Sequence, residues 1–109
     1  MSLLREALSL ADASGERISV IECLEQLAEV MLQSDDPAAA AVLFGFAEAQ
    51  RAALEAPPGD FQGAFRETMA AQGPNDVEWL PAWNSGRRMS FPQAIEYALR
   101  TSSQVPGAR

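Results

Sequence analysis

The sequence predicts an all-α fold of antiparallel helical hairpins, with about six helices, and three features point to it. Bulky and small residues recur at helical spacing along most of the 109 residues. No window alternates apolar and polar residues as a half-buried strand would. Prolines and glycines cluster between the periodic stretches, marking where helices stop and start.

The first helix runs from about Leu3 to Ala13, with Leu3, Leu4, Ala7, Leu8 and Ala11 on its apolar side. Ser14-Gly15 ends it, because glycine accepts the left-handed backbone that closes a helix. A second helix starts near Glu16 and reaches Gln33. Its Leu24, Leu27, Ala28 and Met31 lie at i, i+3, i+4 and i+7, one stripe, while Glu22, Glu25 and Glu29 fall outside it and are expected to face water. A third runs from Pro37 to about Glu55. Asp36 can cap its exposed amides, and Pro37 suits the first position, where no donor is needed. Ala40, Phe44 and Ala47 share a face on which the alanines let backbones approach and Phe44 fills the groove. The apolar run from Ala38 to Ala47 predicts burial on more than one side, and Pro57-Pro58-Gly59 stops the helix.

Asp60 can cap a fourth helix in which Phe61, Ala64, Phe65, Thr68 and Met69 recur at helical spacing, ended by Gly73-Pro74-Asn75. Trp79 and Trp83 are four apart, but Pro81 between them would remove a hydrogen bond from a helix interior. A turn is therefore expected, then a fifth helix from Pro81 to near Gly86. Ser90 and Gln93 stand at capping-box spacing before the last helix, whose buried side is Phe91, Ala94, Ile95, Ala98 and Leu99. Residues 1–101 thus read as one helical repeat-like domain and 102–109 as a frayed tail.

Leu24, Leu27, Ala28, Met31, Ala40, Phe44 and Ala47 together have the spacing of a tetratricopeptide repeat, a helical hairpin whose work is holding other proteins. A generic amphipathic hairpin reproduces part of the same pattern.

Charge narrows the function. Residues 1–60 carry eleven acidic and three basic side chains, and residues 61–109 four acidic and five basic, giving −7 in all. The acidic front half repels phosphate backbones, which argues against DNA or RNA binding and favours a basic partner or the basic patch of a second copy. All eight basic residues are arginine; with the richness in alanine this suggests a GC-rich genome. The single cysteine, Cys23, cannot form an internal disulfide, and without histidine a zinc site has few ligands. No targeting pattern and no apolar span of the roughly 20 residues a bilayer needs stands out, so a cytoplasmic protein is expected.

Several runs carry a family resemblance: Leu8-x-Leu10-Ala11-x3-Gly15; Cys23-Leu24-Glu25-x-Leu27-Ala28; and Asp36-Pro37-x2-Ala40-Ala41-x-Leu43-Phe44-Gly45-x-Ala47-Glu48-Ala49-x-Arg51. Ala56-Pro57-Pro58 and Trp83-x2-Gly86-Arg87-x-Met89-Ser90-x3-Ala94-Ile95 complete them. Over about residues 3–100 the chain resembles the C-terminal helical segment of LuxR-type and cyclase-associated bacterial signal-transduction ATPases. That resemblance implies a tetratricopeptide-like domain that follows an ATPase module in long regulators, and leaves open whether this chain is free-standing or a piece of one. With no G-x-x-x-x-G-K-[ST] loop and no basic recognition helix, neither ATPase activity nor DNA binding carries over.

The candidate site residues each have two readings. Arg51 could clamp a partner's carboxylate, or pair internally with Glu48 or sit at a helix end. Trp79 and Trp83 could anchor an interface or fill the core. Arg87 and Arg88 could bind an anion or the acidic face of a second copy, or simply favour a helix C-terminus. Cys23 reads as a small apolar filler, with a redox role as the alternative. Leu3, Leu4, Leu8 and Leu10 of the first helix have no upstream repeat to cover them, so self-association into a two-fold homodimer is expected. A non-catalytic interaction or regulatory scaffold with a protein partner, no cofactor and no membrane is the leading reading. Sensing of an apolar effector in a groove lined by Phe44, Phe65 and tryptophan is the alternative, and an enzyme is the remaining one.

Overall fold

The computed structural model describes residues 2–33, 36–56 and 76–102, and these form five α-helices. They are α1 (Ser2–Ser14), α2 (Arg17–Gln33), α3 (Pro37–Ala53), α4 (Asp76–Arg87) and α5 (Phe91–Ser102). The helix expected at Phe61–Met69 and most of the expected tail lie outside the described residues, as do Ser34 and Asp35 between α2 and α3.

The local signals place the boundaries. Gly15 adopts φ +71, its N–H donates to the Asp12 carbonyl at 3.1 Å, and the Glu16 N–H donates to the Ala11 carbonyl at 3.1 Å. This pair of bonds satisfies the last carbonyls of α1 in a Schellman closure. The same closure ends α3, where Glu55 and Ala56 donate to Ala52 and Arg51, but there Glu55, not glycine, takes the left-handed position at φ 55. Asp36 caps α3 as expected, its carboxylate accepting from the Ala39 N–H at 3.2 Å with Pro37 in the first turn. Ser90 and Gln93 form the reciprocal capping box: the Ser90 N–H donates to Gln93 Oε1 at 2.9 Å and the Gln93 N–H to Ser90 Oγ at 3.3 Å.

One boundary differs. The chain is helical from Asp76 through Pro81 to Arg87, with no turn before Pro81. Proline deletes one hydrogen bond from a helix interior, and the packing of α4 against α3 outweighs that loss.

α3 is the central helix. Every residue from Ala39 to Ala47 is buried, since α2 covers one side, α4 another, and α5 touches both α2 and α3. The seven hairpin positions Leu24, Leu27, Ala28, Met31, Ala40, Phe44 and Ala47 have no exposed surface. Burying a leucine- or phenylalanine-sized side chain fully contributes roughly 1.5–3 kcal/mol relative to leaving it in water. Against α4 the contact is of another kind. A Cβ on Gly45 would stand 3.0 Å from the carbonyl carbon of Trp83, and one on Gly86 2.7 Å from that of Val42, with the oxygens closer still. Two glycines, one on each helix, let the backbones of α3 and α4 touch. The start of α5 is fixed by an edge-to-face pair of Phe46 and Phe91, ring centroids 5.1 Å apart, with the Arg17 guanidinium of α2 over the Phe91 ring at 5.4 Å.

The first helix corrects an expectation. Leu8 is fully buried and Leu4 half-buried, so both turn into the chain's own core with Ala11. Leu3 and Leu10, at 81% and 69% exposure, point away, with Ala7 exposed between them. Six apolar residues of α1 thus divide into an inward stripe at 4, 8 and 11 and an outward one at 3, 7 and 10, each at helical spacing.

Candidate functional site

Arg51 lies inside the molecule. Its Nε donates to Glu25 Oε2 at 3.0 Å and its Nη2 to Glu25 Oε1 at 2.7 Å, a bidentate pair joining α3 to α2, with the two residues 8% and 2% exposed. One sequence expectation changes here. Glu25 belongs to the interior, while Glu22 is exposed and Glu29 half-buried. α2 is covered on more than one side, so its buried arc widens from the Leu24–Met31 stripe to take in the row Ile21, Glu25, Ala28. Arg51 thus has in Glu25 a long-range partner that the sequence did not suggest. A guanidinium committed to a buried carboxylate is not available to clamp a partner.

Trp83 is 7% exposed and packs in the core cluster with Phe44 and Phe46. Trp79 sits one turn earlier on α4, its side chain outside the described ones. Phe44 and Trp83 lie in the core, and Phe65 and the side chain of Trp79 lie outside the described ones. Arg87, in the last turn of α4, pairs with Glu48 of α3. Cys23 is half-buried against the core, and burial, then the Glu22 carboxylate, pushes its thiol above its ordinary value. Such a thiol stays protonated and weakly nucleophilic at neutral pH.

Arg88 is placed differently. It is exposed, its side chain has no hydrogen bond or ion pair to another described residue, and it lines a polar cavity of about 410 Å³ between α4 and α5. Ser85 and Met89 line the α4 side of this cavity with it; Gln93, Glu96, Tyr97 and Arg100 line the α5 side. Residues 93, 96, 97 and 100 stand at i, i+3, i+4 and i+7, so one face of α5 presents all four. That spacing was readable in the sequence; its meeting with Arg88 was not, because it depends on how α4 and α5 cross. Glu96 and Arg100 approach to 4.0 Å with both side chains mostly exposed, and the Arg100 guanidinium lies 6.0 Å from the centre of the Tyr97 ring. The Tyr97 hydroxyl is pushed above its ordinary value by burial and by the Asp36 carboxylate, against the opposing pull of Arg100. It remains a hydrogen-bond donor across the physiological range.

On the other side of α5, a cleft of about 640 Å³ runs between α1 and α5 past Arg5, Glu6, Ser9, Leu10 and Leu99. Arg5 bridges the two helices, its Nη2 donating to the Leu99 carbonyl at 3.4 Å.

Among the described residues no three histidine, cysteine, aspartate or glutamate side chains gather to hold a metal ion, and no helix is long and apolar enough to cross a membrane. No protein-family model, curated protein or solved structure matches the chain. The likeness to LuxR-type and cyclase-associated regulators therefore rests on the quoted residues alone.

Proposed function

We propose that this protein is a non-catalytic interaction module: a tetratricopeptide-like helical scaffold, cytoplasmic and serving bacterial regulation or signalling, that holds a protein partner. The observation that supports it most directly is the α2–α3 hairpin, in which all seven positions of the repeat spacing are fully buried. With α3 buried from Ala39 to Ala47, the outward face of this hairpin belongs to α2, where Ile18, Glu22, Gln26 and Gln33 are exposed, and repeat proteins bind through such outward helix faces. α1 adds an outward apolar stripe, with Leu3 and Leu10 the two most exposed large apolar side chains among the described residues. A second copy of the chain is the simplest cover for that stripe, through α1 packed on α1 about a two-fold axis.

Sedimentation at micromolar concentration tests this reading. A dimer that persists in high salt and becomes monomeric in the Leu3→Glu/Leu10→Glu variant, with helicity unchanged, is the expected result. A parent chain that stays monomeric removes self-association. If it also binds no protein in capture experiments from its source cell, the scaffold reading fails with it.

A further inference from the structure

We propose that the outward row of α2 docks a positively charged segment of a partner protein, with Glu22 and Glu29 receiving two of its cations. The proposal rests on the interaction reading above and names the partner's chemistry.

Ile18, Glu22, Gln26, Glu29 and Gln33 follow one another at three- and four-residue spacing, so one narrow strip of α2 presents all five. Four of them are exposed and Glu29 is half-buried. The strip carries carboxylates, amides and an apolar side chain, but no cation. Residues 1–60 hold three arginines, and packing turns each of them elsewhere. Arg5 reaches the Leu99 carbonyl of α5, Arg17 lies over the Phe91 ring, and Arg51 is enclosed with Glu25. Farther along the chain Arg87 meets Glu48 of α3, and Arg88 and Arg100 line the α4–α5 cavity. Among the described residues, Glu22 and Glu29 thus have no counter-charge.

Neither carboxylate has its full set of donors. Glu22 makes no hydrogen bond or ion pair to another described residue, and its charge adds to burial in raising the neighbouring Cys23 thiol, with no cation opposing it. One oxygen of Glu29 accepts from Gln33 Nε2 at 3.3 Å, whereas Oε2 is buried without a hydrogen-bond partner. An ionised carboxylate can only accept, and one left short of donors gains when a guanidinium or ammonium arrives. The sign of the partner follows. A positive group is attracted by both carboxylates and by the −7 of the chain, and an anion is repelled by each of them. The spacing follows as well. Seven residues place Glu22 and Glu29 about 10 Å apart along the helix axis, an interval that a partner helix matches with basic residues seven positions apart. Ile18, 40% exposed, adds an apolar contact at the start of the row.

The test is an NMR titration of the full chain with two capped, alanine-based helical peptides, one bearing two arginines seven residues apart and the other two glutamines at the same places. It is run at about 0.1 M salt, where exposed charges farther apart than roughly 10 Å are largely screened. The arginine peptide should shift the side-chain amide signals of Gln26 and Gln33 saturably, in a range on the order of millimolar, and should be released in about 1 M salt. Glu22→Gln/Glu29→Gln should weaken it about tenfold, as the loss of two exposed ion pairs does, and leave helicity intact because glutamine keeps the size of each side chain. Glu55→Gln/Glu96→Gln, which removes the same charge from exposed positions off α2, should leave binding unchanged.

Equal binding of the glutamine peptide, or an arginine peptide held as well by Glu22→Gln/Glu29→Gln as by the parent, would overturn the docking face. Equal weakening in Glu55→Gln/Glu96→Gln would reduce the attraction to net charge and overturn it too. A dimer that dissociates in Glu22→Gln/Glu29→Gln would assign the row to a second copy and overturn the separate partner. The two readings fail separately. A partner protein held by a chain that does not bind the arginine peptide sinks the basic segment alone, and a saturable peptide site in a chain that holds no protein sinks the scaffold.

Discussion

The two long faces of α3 meet their neighbours by opposite means. Toward α2 the contact is made by side chains: Leu24, Leu27 and Met31 against Phe44 and the alanines, with the charged pair of Glu25 and Arg51 closed inside. Toward α4 it is made by the absence of side chains, with Gly45 against the backbone of Trp83 and Gly86 against that of Val42. Apolar side chains can repack around a small change, whereas two backbones in contact have nothing to move. The α2–α3 interface should thus concentrate its sensitivity in the buried Glu25–Arg51 pair, and the α3–α4 interface in two missing methyl groups.

The largest effect should come from the ion pair. Arg51→Met leaves the Glu25 carboxylate buried beside an apolar chain and should cost about 3–5 kcal/mol in chemical denaturation. The double change Glu25→Leu/Arg51→Met should recover most of that loss, since the expense lies in the stranded charge. If the single and double variants are equally unstable, the pair does not govern this interface.

Next comes Gly86→Ala. Alanine is the better helix former, so an isolated α4 would gain from it, but at the crossing its methyl group meets the Val42 carbonyl. Overpacking of this kind should cost about 1–3 kcal/mol. A variant as stable as the parent would mean that the two backbones do not touch.

Smaller, and of opposite sign, is Glu55→Gly. Gly15 and Glu55 occupy equivalent positions in two like closures, but only at Glu55 does a side chain stand in the left-handed region. Glycine there should stabilise the fold by up to about 1 kcal/mol, read as a higher melting temperature. The smallest change belongs to the outward stripe of α1. Leu10→Glu should alter monomer stability by no more than about 0.5 kcal/mol, because Leu10 is 69% exposed, while Leu8→Ala should cost about 2–5 kcal/mol. Equal losses for the two would place α1 differently on the core.

Local chemistry was legible in the sequence wherever it acts over a few residues. Asp36-Pro37, Ser90 with Gln93, and Gly15 each specify an end of a helix by bonds within one turn, and each stands where it was read. The stripe at Leu24, Leu27, Ala28 and Met31 was equally plain, because periodicity alone decides which residues share a face. Failures occurred where tertiary packing decides. Pro81 reads as a break until α4 has α3 to lie against. Glu25 reads as solvated until α2 is covered on a second side, and Leu8 reads as unpartnered until α1 folds onto α2. The α4–α5 cavity belongs to the same class: Gln93, Glu96, Tyr97 and Arg100 were on one face of the last helix from the start, but only the crossing of α4 brings Arg88 to them.

The glycine contact between α3 and α4 also bears on the order of events as the chain folds. Gly45 and Gly86 are separated by some 40 positions in sequence, whereas α2 ends at Gln33 and α3 begins at Pro37. The entropy of closing a loop rises with its length, so the local hairpin can form before the distant docking does. A crossing that tolerates no intervening atom can be completed only when both helices have reached their final register. Its energy then belongs to the descent from the barrier rather than to the climb. Gly86 acts in that case as a latch on the finished fold: alanine in its place should hasten unfolding while leaving the rate of folding nearly untouched.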